Sequence, residues 1–417
     1  MTASGKPGQR RALPTYGAVI ALGFFATSLA SPQKLGAIPV QSLIKNDLGL
    51  SAEAMSAFFA VTGLAWYIKP LAGVISDHVR LFGTRRRHYL LIGALVGACL
   101  WGLTAIVPRR YYTLMVIAIA LNTMPVLAST VLGGLLVDVG RSQGSTGRLS
   151  ALRVTAMNGA SLTASLVGGF LASRALAVTC GISAGLLLTM ALLVGFFLHE
   201  TPESPRPKRA LLDRLRSIAA PLRSRALLST MALTFVYYAA PSPDTVIYYY
   251  RTNDLGLSNE LVGLLDTIAC AGGMLGALSY AWFCRRFKLR SLLFCGVALK
   301  MCGALLYLAY RSPAAAFALE GVIGFITLLS VMPFQELAAR AAPANDEALG
   351  LAIVLSVGNL AISLSRVLGA SLFVRWHITF FQLVVIQAVV TSFVVLFVPL
   401  LPRTLVQARE GSKEGEP

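Results

Sequence analysis

Apolar residues run along this chain in long blocks that short polar segments separate. Twelve blocks reach roughly the 20 residues that an α-helix needs to cross a bilayer. The pattern therefore predicts an all-α membrane protein with twelve transmembrane helices. The predicted spans, in chain order, are 16–44, 52–76, 88–107, 111–138, 147–172, 177–198, 226–250, 259–283, 290–310, 314–339, 347–374 and 378–401.

The chain contains an internal repeat. The sequence NDLGLS at 46–51 returns at 253–258, and Glu53 and Glu260 follow at the same spacing. Both copies lie between two apolar blocks, so the repeat predicts two six-helix bundles. We expect an N-terminal bundle over 1–199, a basic, proline-containing cytoplasmic linker over 200–225, and a C-terminal bundle with a short tail over 226–417.

Composition and charge support this interpretation and orient the spans. The chain is 56% hydrophobic and only 13% charged, which a soluble core could not accommodate. Of the 36 Lys and Arg residues, 24 lie in the termini and loops of one side and seven lie in the loops of the other. The bias toward positive cytoplasmic loops places both termini in the cytoplasm and the NDLGLS turns outside. The net charge of +18 is thus explained by membrane topology, without a nucleic-acid partner.

Other classes of function find no support in the sequence. The six cysteines lie in or beside spans without CxxC spacing, which indicates packing residues and neither a disulfide framework nor a metal site. The chain has no P-loop and no catalytic triad, so we expect neither an enzyme nor a cofactor. Its basic N-terminus resembles a signal peptide, but the repeat pairs the first span with the seventh, so we expect the segment to be retained.

Prolines interrupt the first and seventh spans, which are partners in the repeat. Pro32 and Pro39 lie in the first span, and Pro241 and Pro243 lie in the seventh. Proline frees a carbonyl and bends a helix, which is tolerated where the backbone borders protein or a wet cavity. Corresponding interrupted helices in two repeats point to a transport site near the midplane. The alternative is that the prolines only curve the helices for packing.

A charged side chain within a span costs free energy, so each one indicates a structural or functional role. Lys34 lies between the prolines of the first span, and Asp244 follows Pro243 in the seventh. Lys34 is a candidate ligand for a substrate carboxylate. Asp244 is a candidate ligand for an amidine-like edge of the substrate, or a candidate proton carrier. Alternatively, the two form a structural ion pair between the halves.

Two further acids are candidates for coupling or binding. Asp266, in the eighth span, has no basic residue near it in sequence, and an unpaired buried carboxylate suits a proton carrier. A hydrogen bond from Thr267 or another helix is the alternative. Glu320, in the tenth span, is a candidate for either the substrate site or a gate.

Cationic and polar residues complete the candidate site. The planar fork of Arg366 suits an anionic ligand. Lys300 lies in the ninth span, where we expect a structural role. Further polar candidates for substrate contacts are Asn122, Asn359 and Tyr237.

The loop after the second span is a candidate gate. It contains Gly73, which would allow close helix contact, then Asp77, and then the basic run that includes Arg85 and Arg86. A pair between Asp77 and an arginine could lock one side of a transporter, or the arginines only set topology. Arg153, in the fifth span, could join a cytoplasmic network with Asp138 or Asp77, or bind an anion.

Several blocks resemble the folate–biopterin transporter family of the major facilitator superfamily. The most specific is WYIKPLAGVISD at 66–77, in which we interpret Lys69 as a gating or folding element, with a substrate contact as the alternative. Further similar blocks are KNDLGL at 45–50, LFGTRRRHYL at 81–90, YYY at 248–250, LGLS at 255–258, KLRSLL at 288–293, Met332-Pro333, Pro343, Glu347 and SVGNL at 356–360. The fourth span departs from the family pattern, because 129–134 contains no acid, and family acids there cannot be carried over.

The resemblance implies a secondary active transporter of the inner membrane, a monomer that moves folate, pterin or a related organic anion by alternating access. The buried acids add the expectation of proton coupling. Two alternatives stay open: a major facilitator transporter of another solute, such as a nucleoside-like metabolite or a drug, and a membrane receptor that moves nothing.

Overall fold

The protein is helical throughout the part that the computed structural model describes, which comprises residues 7–143, 146–200, 220–343 and 347–406. Most of the predicted linker lies outside these ranges. The α-helices are α1 (Pro7–Leu29), α2 (Ala37–Ser42), α3 (Ala52–Thr62), α4 (Leu64–Tyr67), α5 (Lys69–His78), α6 (Arg87–Ile106), α7 (Tyr111–Gln143), α8 (Thr146–Ala172), α9 (Leu176–Phe197), α10 (Arg225–Ala239), α11 (Val246–Tyr249), α12 (Asn259–Arg286), α13 (Leu289–Leu306), α14 (Pro313–Ala341), α15 (Glu347–Arg375), α16 (Phe380–Ser392) and α17 (Arg403–Val406).

Nine helices among the described residues are long and apolar enough to cross a membrane. They are α6 to α9 and α12 to α16, with α13 and α16 extended by short 3₁₀ turns. On α9, the exposed Leu188, Leu192 and Phe196 follow one another a turn apart. Such an outward apolar strip is what a lipid-facing helix presents.

The other three predicted spans are broken into pieces. The first span is divided between α1 and α2, and the seventh between α10 and α11. Both breaks contain a proline that the sequence singled out, Pro32 in one and Pro241 in the other, so this prediction is confirmed. The second span is also divided, into α3, α4 and α5, which the sequence analysis did not predict.

The repeated turn has the same geometry in both copies. Each copy begins with the last two residues of a π-helical turn, Leu43–Asp47 or Tyr250–Asp254. The backbone then takes a left-handed conformation at Gly49 (φ +64°) and at Gly256 (φ +63°), which a side chain would disfavour. The serine two residues on caps the next helix, because Ser51 and Ser258 each accept a backbone N–H. The duplication is therefore structural as well as sequential.

Contacts divide the chain into two compact units. The first unit consists of Met1–Val40 and Leu71–Leu215, and the second consists of Gln41–Pro70 and Arg216–Pro417. The core of the first unit joins α1, α6, α7 and α9 through Ile20, Phe24, Leu90, Leu132 and Met190. The core of the second joins α10, α13 and α14 through Tyr237, Val297, Phe334 and Leu337.

Candidate functional site

The break between α10 and α11 forms one wall of a cavity. The carbonyl of Tyr237 would normally accept the N–H four residues on, but that residue is Pro241, which has none. The backbone is instead hydrogen-bonded by side-chain and backbone groups of neighbouring helices. Ser365 on α15 donates its hydroxyl to the carbonyl of Ala240, and its own carbonyl accepts the N–H of Ser242 at 3.1 Å.

Helix α15 lies very close to this break. A Cβ atom at Gly369 would come within 2.0 Å of the carbonyl oxygen of Ser242. Only a residue without a side chain fits there. The break is thus held in place by the surface of α15, and its geometry does not depend on the prolines alone.

An ion pair spans the break and α15. The Nε atom of Arg366 donates to Oδ2 of Asp244 at 3.2 Å. The side chains are 44% and 52% exposed, so a solute can reach both. Both residues are predicted from the sequence as substrate contacts. The structure brings them together within the second unit.

The cavity at this pair has a volume of about 260 Å³. Its lining combines charged, aromatic and hydroxyl side chains from α10, α13, α14, α15 and α16, a composition typical of ligand sites. The lining includes Tyr237, Tyr238, Ser242, Pro243, Asp244, Lys300, Tyr307, Thr327, Ser330, Ser365, Arg366 and Gln387. The break in the seventh span therefore borders a cavity.

Lys300, for which a structural role was expected, lines this cavity. Its ammonium donates to the free carbonyl of Tyr237 and lies 4.0 Å from the centre of the Tyr237 ring. Nothing in the sequence indicates which face of the ninth span borders the cavity. Tyr307 and Gln387 were missed for the same reason.

Tyr237 itself is fully buried, so its ring forms the wall behind Lys300. The ring stacks on Phe334 with 3.7 Å between centroids, and its hydroxyl lies 3.0 Å from the Ser330 hydroxyl. These contacts fix the ring in place. They give Tyr237 a positioning role in the cavity wall.

The break in the first unit carries Lys34. The turn between α1 and α2 contains Lys34, whose Nζ donates to the hydroxyl of Ser161 on α8 at 3.0 Å. The indole N–H of Trp101 donates to the carbonyl of Ala30 at 3.0 Å. This break is also held by side chains from neighbouring helices.

Asp266 and Glu320 belong to one ionic cluster centred on Arg251. Arg251 donates to Oδ1 of Asp266 at 2.8 Å and to Oε1 of Glu320 at 2.7 Å. The hydroxyl of Tyr310 donates to Glu320 at 2.7 Å. The expectation of an unpaired Asp266 is therefore wrong. Glu320 is only 3% exposed and already has two partners, which favours a structural or gating role over substrate contact.

Comparison with protein-family profiles identifies the family of this chain. The profile described as "BT1 family" matches residues 32–416. The chain belongs to the BT1 family. Members of this family are transporters and not enzymes, and the resemblance found in the sequence is confirmed.

Two curated relatives of this BT1 family chain illustrate the match. The folate-biopterin transporter of Synechocystis sp. is 28% identical over 365 residues, which cover 82% of this chain and 72% of the relative. Folate transporter 1 of Plasmodium falciparum is 24% identical over 364 residues, which cover 81% and 69%.

Solved transporters share the fold. The nucleoside transporter NupG superposes with a TM-score of 0.69 at 12% identity, over 94% of this chain and 98% of that one. A POT family transporter in complex with 5-aminolevulinic acid gives 0.72 at 13% identity, over 93% and 96%. The fold is that of the major facilitator transporters.

The basic loop of this BT1 family chain is tied to α7 and to the end of α9. Arg86 donates to Asp138 through Nε at 3.0 Å and Nη2 at 2.5 Å, and through Nη1 to the carbonyl of Val131 at 3.0 Å. Arg85 reaches Asp138 at 3.5 Å. The backbone N–H groups of Arg86 and Arg87 both donate to Glu200 at 2.9 Å.

The remaining gating candidates have other surroundings. The side chain of Asp77 lies outside the described part of the chain. A Cβ atom at Gly73 would make ordinary contact with Thr130 at 3.6 Å. Arg153 lies over the Phe24 ring at 5.2 Å, while Asp138 is paired with Arg85 and Arg86. Lys69 lies over the Trp66 ring at 5.2 Å.

The two asparagines differ in accessibility. Asn122 is 1% exposed and donates to the carbonyl of Ala118 in its own helix at 2.9 Å, which favours a packing role. Asn359 lines a smaller hollow of about 60 Å³ together with Thr234 and Gln335. Tyr238 and Ile362 line both this hollow and the main cavity, so Asn359 lies beside the candidate site.

Proposed function

We propose that this protein moves folate, pterin or a related organic anion across the inner membrane by alternating access, coupled to protons. The observation that carries the proposal is the cavity at the broken seventh span, where Asp244 and Arg366 form an accessible ion pair. The printed names of the relatives, folate-biopterin transporter and folate transporter, support this substrate class.

The proposed topology has twelve spans in two bundles, with both termini in the cytoplasm. The nine long helices account for nine spans. The three broken segments, α1 with α2, α3 to α5, and α10 with α11, account for the others. The protein would act as a monomer in the lipid bilayer. Broken helices at a solute site are typical of secondary transporters.

The Asp244–Arg366 pair supplies a coupling device in this proposal. When Asp244 is ionised, it occupies Arg366. A proton on Asp244 would weaken the pair and free the guanidinium for an anionic solute. Proton and anion would then bind together, as symport requires. Lys34, in the break of the first span, is the proposed second cation for the substrate.

The test is uptake of labelled folate and of labelled biopterin into proteoliposomes, with and without an inward proton gradient. We expect the gradient to accelerate uptake in the wild type. Asp244→Asn should still bind the solute, but its uptake should no longer respond to the gradient. Lys34→Ala should weaken binding.

The outcomes separate the parts of the proposal. If the wild type neither binds nor takes up any folate or pterin, the substrate class is wrong and a broad solute screen replaces it. If wild-type uptake ignores the proton gradient, coupling is wrong. Binding without accumulation would favour the receptor.

A further inference from the structure

Three charged side chains line the cavity of the second unit, and their charges do not sum to zero. Arg366 is paired with Asp244, so these two neutralise each other. Lys300 donates to a neutral acceptor, the carbonyl of Tyr237, and no salt bridge joins it to a carboxylate among the described residues, although the charge of Asp244 acts on Lys300 as well as on Arg366. The cavity therefore holds an excess of one positive charge.

Closing the broken helix does not by itself require this charge. The neighbouring free carbonyl, that of Ala240, is satisfied by the neutral hydroxyl of Ser365. An ammonium group within an apolar span is far more costly than a hydroxyl. Lysine also has three N–H donors, and the carbonyl of Tyr237 accepts one of them. Donors remain for a ligand in the cavity.

Aromatic rings hold this ammonium at the cavity wall. Its Nζ atom lies 4.0 Å from the centroid of Tyr237 and 5.3 Å from that of Tyr238. Both contacts are within the range of a cation–π interaction. Tyr237 is itself fixed by stacking on Phe334 at 3.7 Å. The position of the charge is thus set before any ligand binds.

We propose that Lys300 binds a carboxylate of the substrate, so that the acidic end of the solute enters this cavity and its flat ring does not. This inference rests on the proposed function, since it assigns an orientation to the substrate of that site. The cavity volume of about 260 Å³ accommodates part of a folate-sized solute, because pockets that enclose a drug-sized ligand are roughly 300–1,000 Å³.

Three ligands test the orientation. Folic acid carries a pterin and a glutamate, biopterin has the pterin without a carboxylate, and 4-aminobenzoylglutamate has the carboxylates without the pterin. Dissociation constants are measured for the full-length purified protein by calorimetry. The variant is Lys300→Met. The matched control is Lys288→Met, because Lys288 lies exposed at the start of the same helix, outside the cavity.

We expect Lys300→Met to weaken folic acid and 4-aminobenzoylglutamate by about 10- to 100-fold, the range of a lost charge-assisted hydrogen bond. Biopterin should bind the variant as it binds the wild type. Lys300→Arg should restore most of the preference for carboxylates, and Lys288→Met should change no affinity.

An equal loss for biopterin and for folic acid would overturn the assignment, because Lys300 would then only hold the broken helix in place. Unchanged binding of all three ligands would overturn it as well. If Lys300→Met does not fold, Lys300→Gln is measured in its place. Wild-type protein that binds none of the ligands would reject the proposed substrate class together with the orientation.

Discussion

Lys45 donates a hydrogen bond to the hydroxyl of Thr252, the residue that stands 207 positions later and occupies the same place in the second copy of the repeat. The ammonium also donates to Asn253, which matches Asn46. Residues at equivalent positions in the two copies are therefore in contact with each other. Burial lowers the pKa of Lys45, while Asp254 acts in the opposite direction.

The same region offers a test of alternating access. Asn259 donates to the hydroxyl of Ser42 at 3.1 Å, and the Tyr249 hydroxyl donates to the carbonyl of Leu50 at 2.7 Å. If transport requires these contacts to open, a cross-link should stop it. We expect the double variant Ser42→Cys, Asn259→Cys, in a background without the native cysteines, to lose uptake on treatment with a short thiol cross-linker and regain it on reduction.

Each single-cysteine variant is the control for the cross-linker. Neither should respond to the reagent. Full uptake by a protein shown to be completely cross-linked would mean that this contact stays closed throughout the transport cycle.

Gly369→Ala should destabilise the second unit. The new Cβ atom would meet the carbonyl oxygen of Ser242 at 2.0 Å, and overpacking of this kind costs about 1–3 kcal/mol. The measurement is thermal unfolding in detergent. Gly185→Ala is the control, since a Cβ there meets nothing within 4 Å. Equal melting temperatures for both variants would show that α15 can move away from the break.

Arg251→Met should be strongly destabilising. It leaves Glu320 buried without its cation, and breaking a buried pair costs about 3–5 kcal/mol. Because the neutral amide removes the orphaned charge, adding Glu320→Gln should recover part of the loss. A thermal double-variant cycle measures the coupling between the two positions. Additive losses would mean that the two side chains do not interact in the membrane.

Arg86→Lys should impair the loop that follows the second span. The Arg86 guanidinium makes three hydrogen bonds to Asp138 and Val131 in two directions, and an ammonium cannot reproduce that fork. We expect reduced uptake with solute binding retained. Arg85→Lys is the matched control, because the contact of Arg85 with Asp138 is longer, at 3.5 Å. If Arg85→Lys impairs uptake as much, the loop requires arginine for another reason.

Much of the fold follows from the sequence, because length and hydropathy determine whether a segment can span. Pro32 and Pro241 identified two of the three broken spans, because proline lacks a backbone N–H and so interrupts a helix at its own position. The break in the second span lies at Gly63 and Ile68, where no proline forces it. Pro70 is the second residue of α5, a position that tolerates proline.

The site was harder to predict, because charge pairing depends on how each helix is rotated about its axis. Asp244 and Arg366 are 122 residues apart, and their individual roles were suspected without their contact. Arg251 lies 15 residues before Asp266, and the predicted spans leave it in the loop between the seventh and the eighth. Lys300 was expected to have a structural role, because hydropathy does not distinguish the face of a helix that borders a cavity.

The broken spans transfer part of their backbone hydrogen bonding to other helices. Trp101 donates to Ala30, Lys300 to Tyr237 and Ser365 to Ala240, and each donor belongs to a different helix from its acceptor. In a saturation mutagenesis of this chain, replacements of Trp101 and Ser365 would thus be poorly tolerated, although neither residue lies in a break. Ala30 and Ala240 contribute only a backbone carbonyl, which every residue has, so burial alone limits which side chains fit at these two positions.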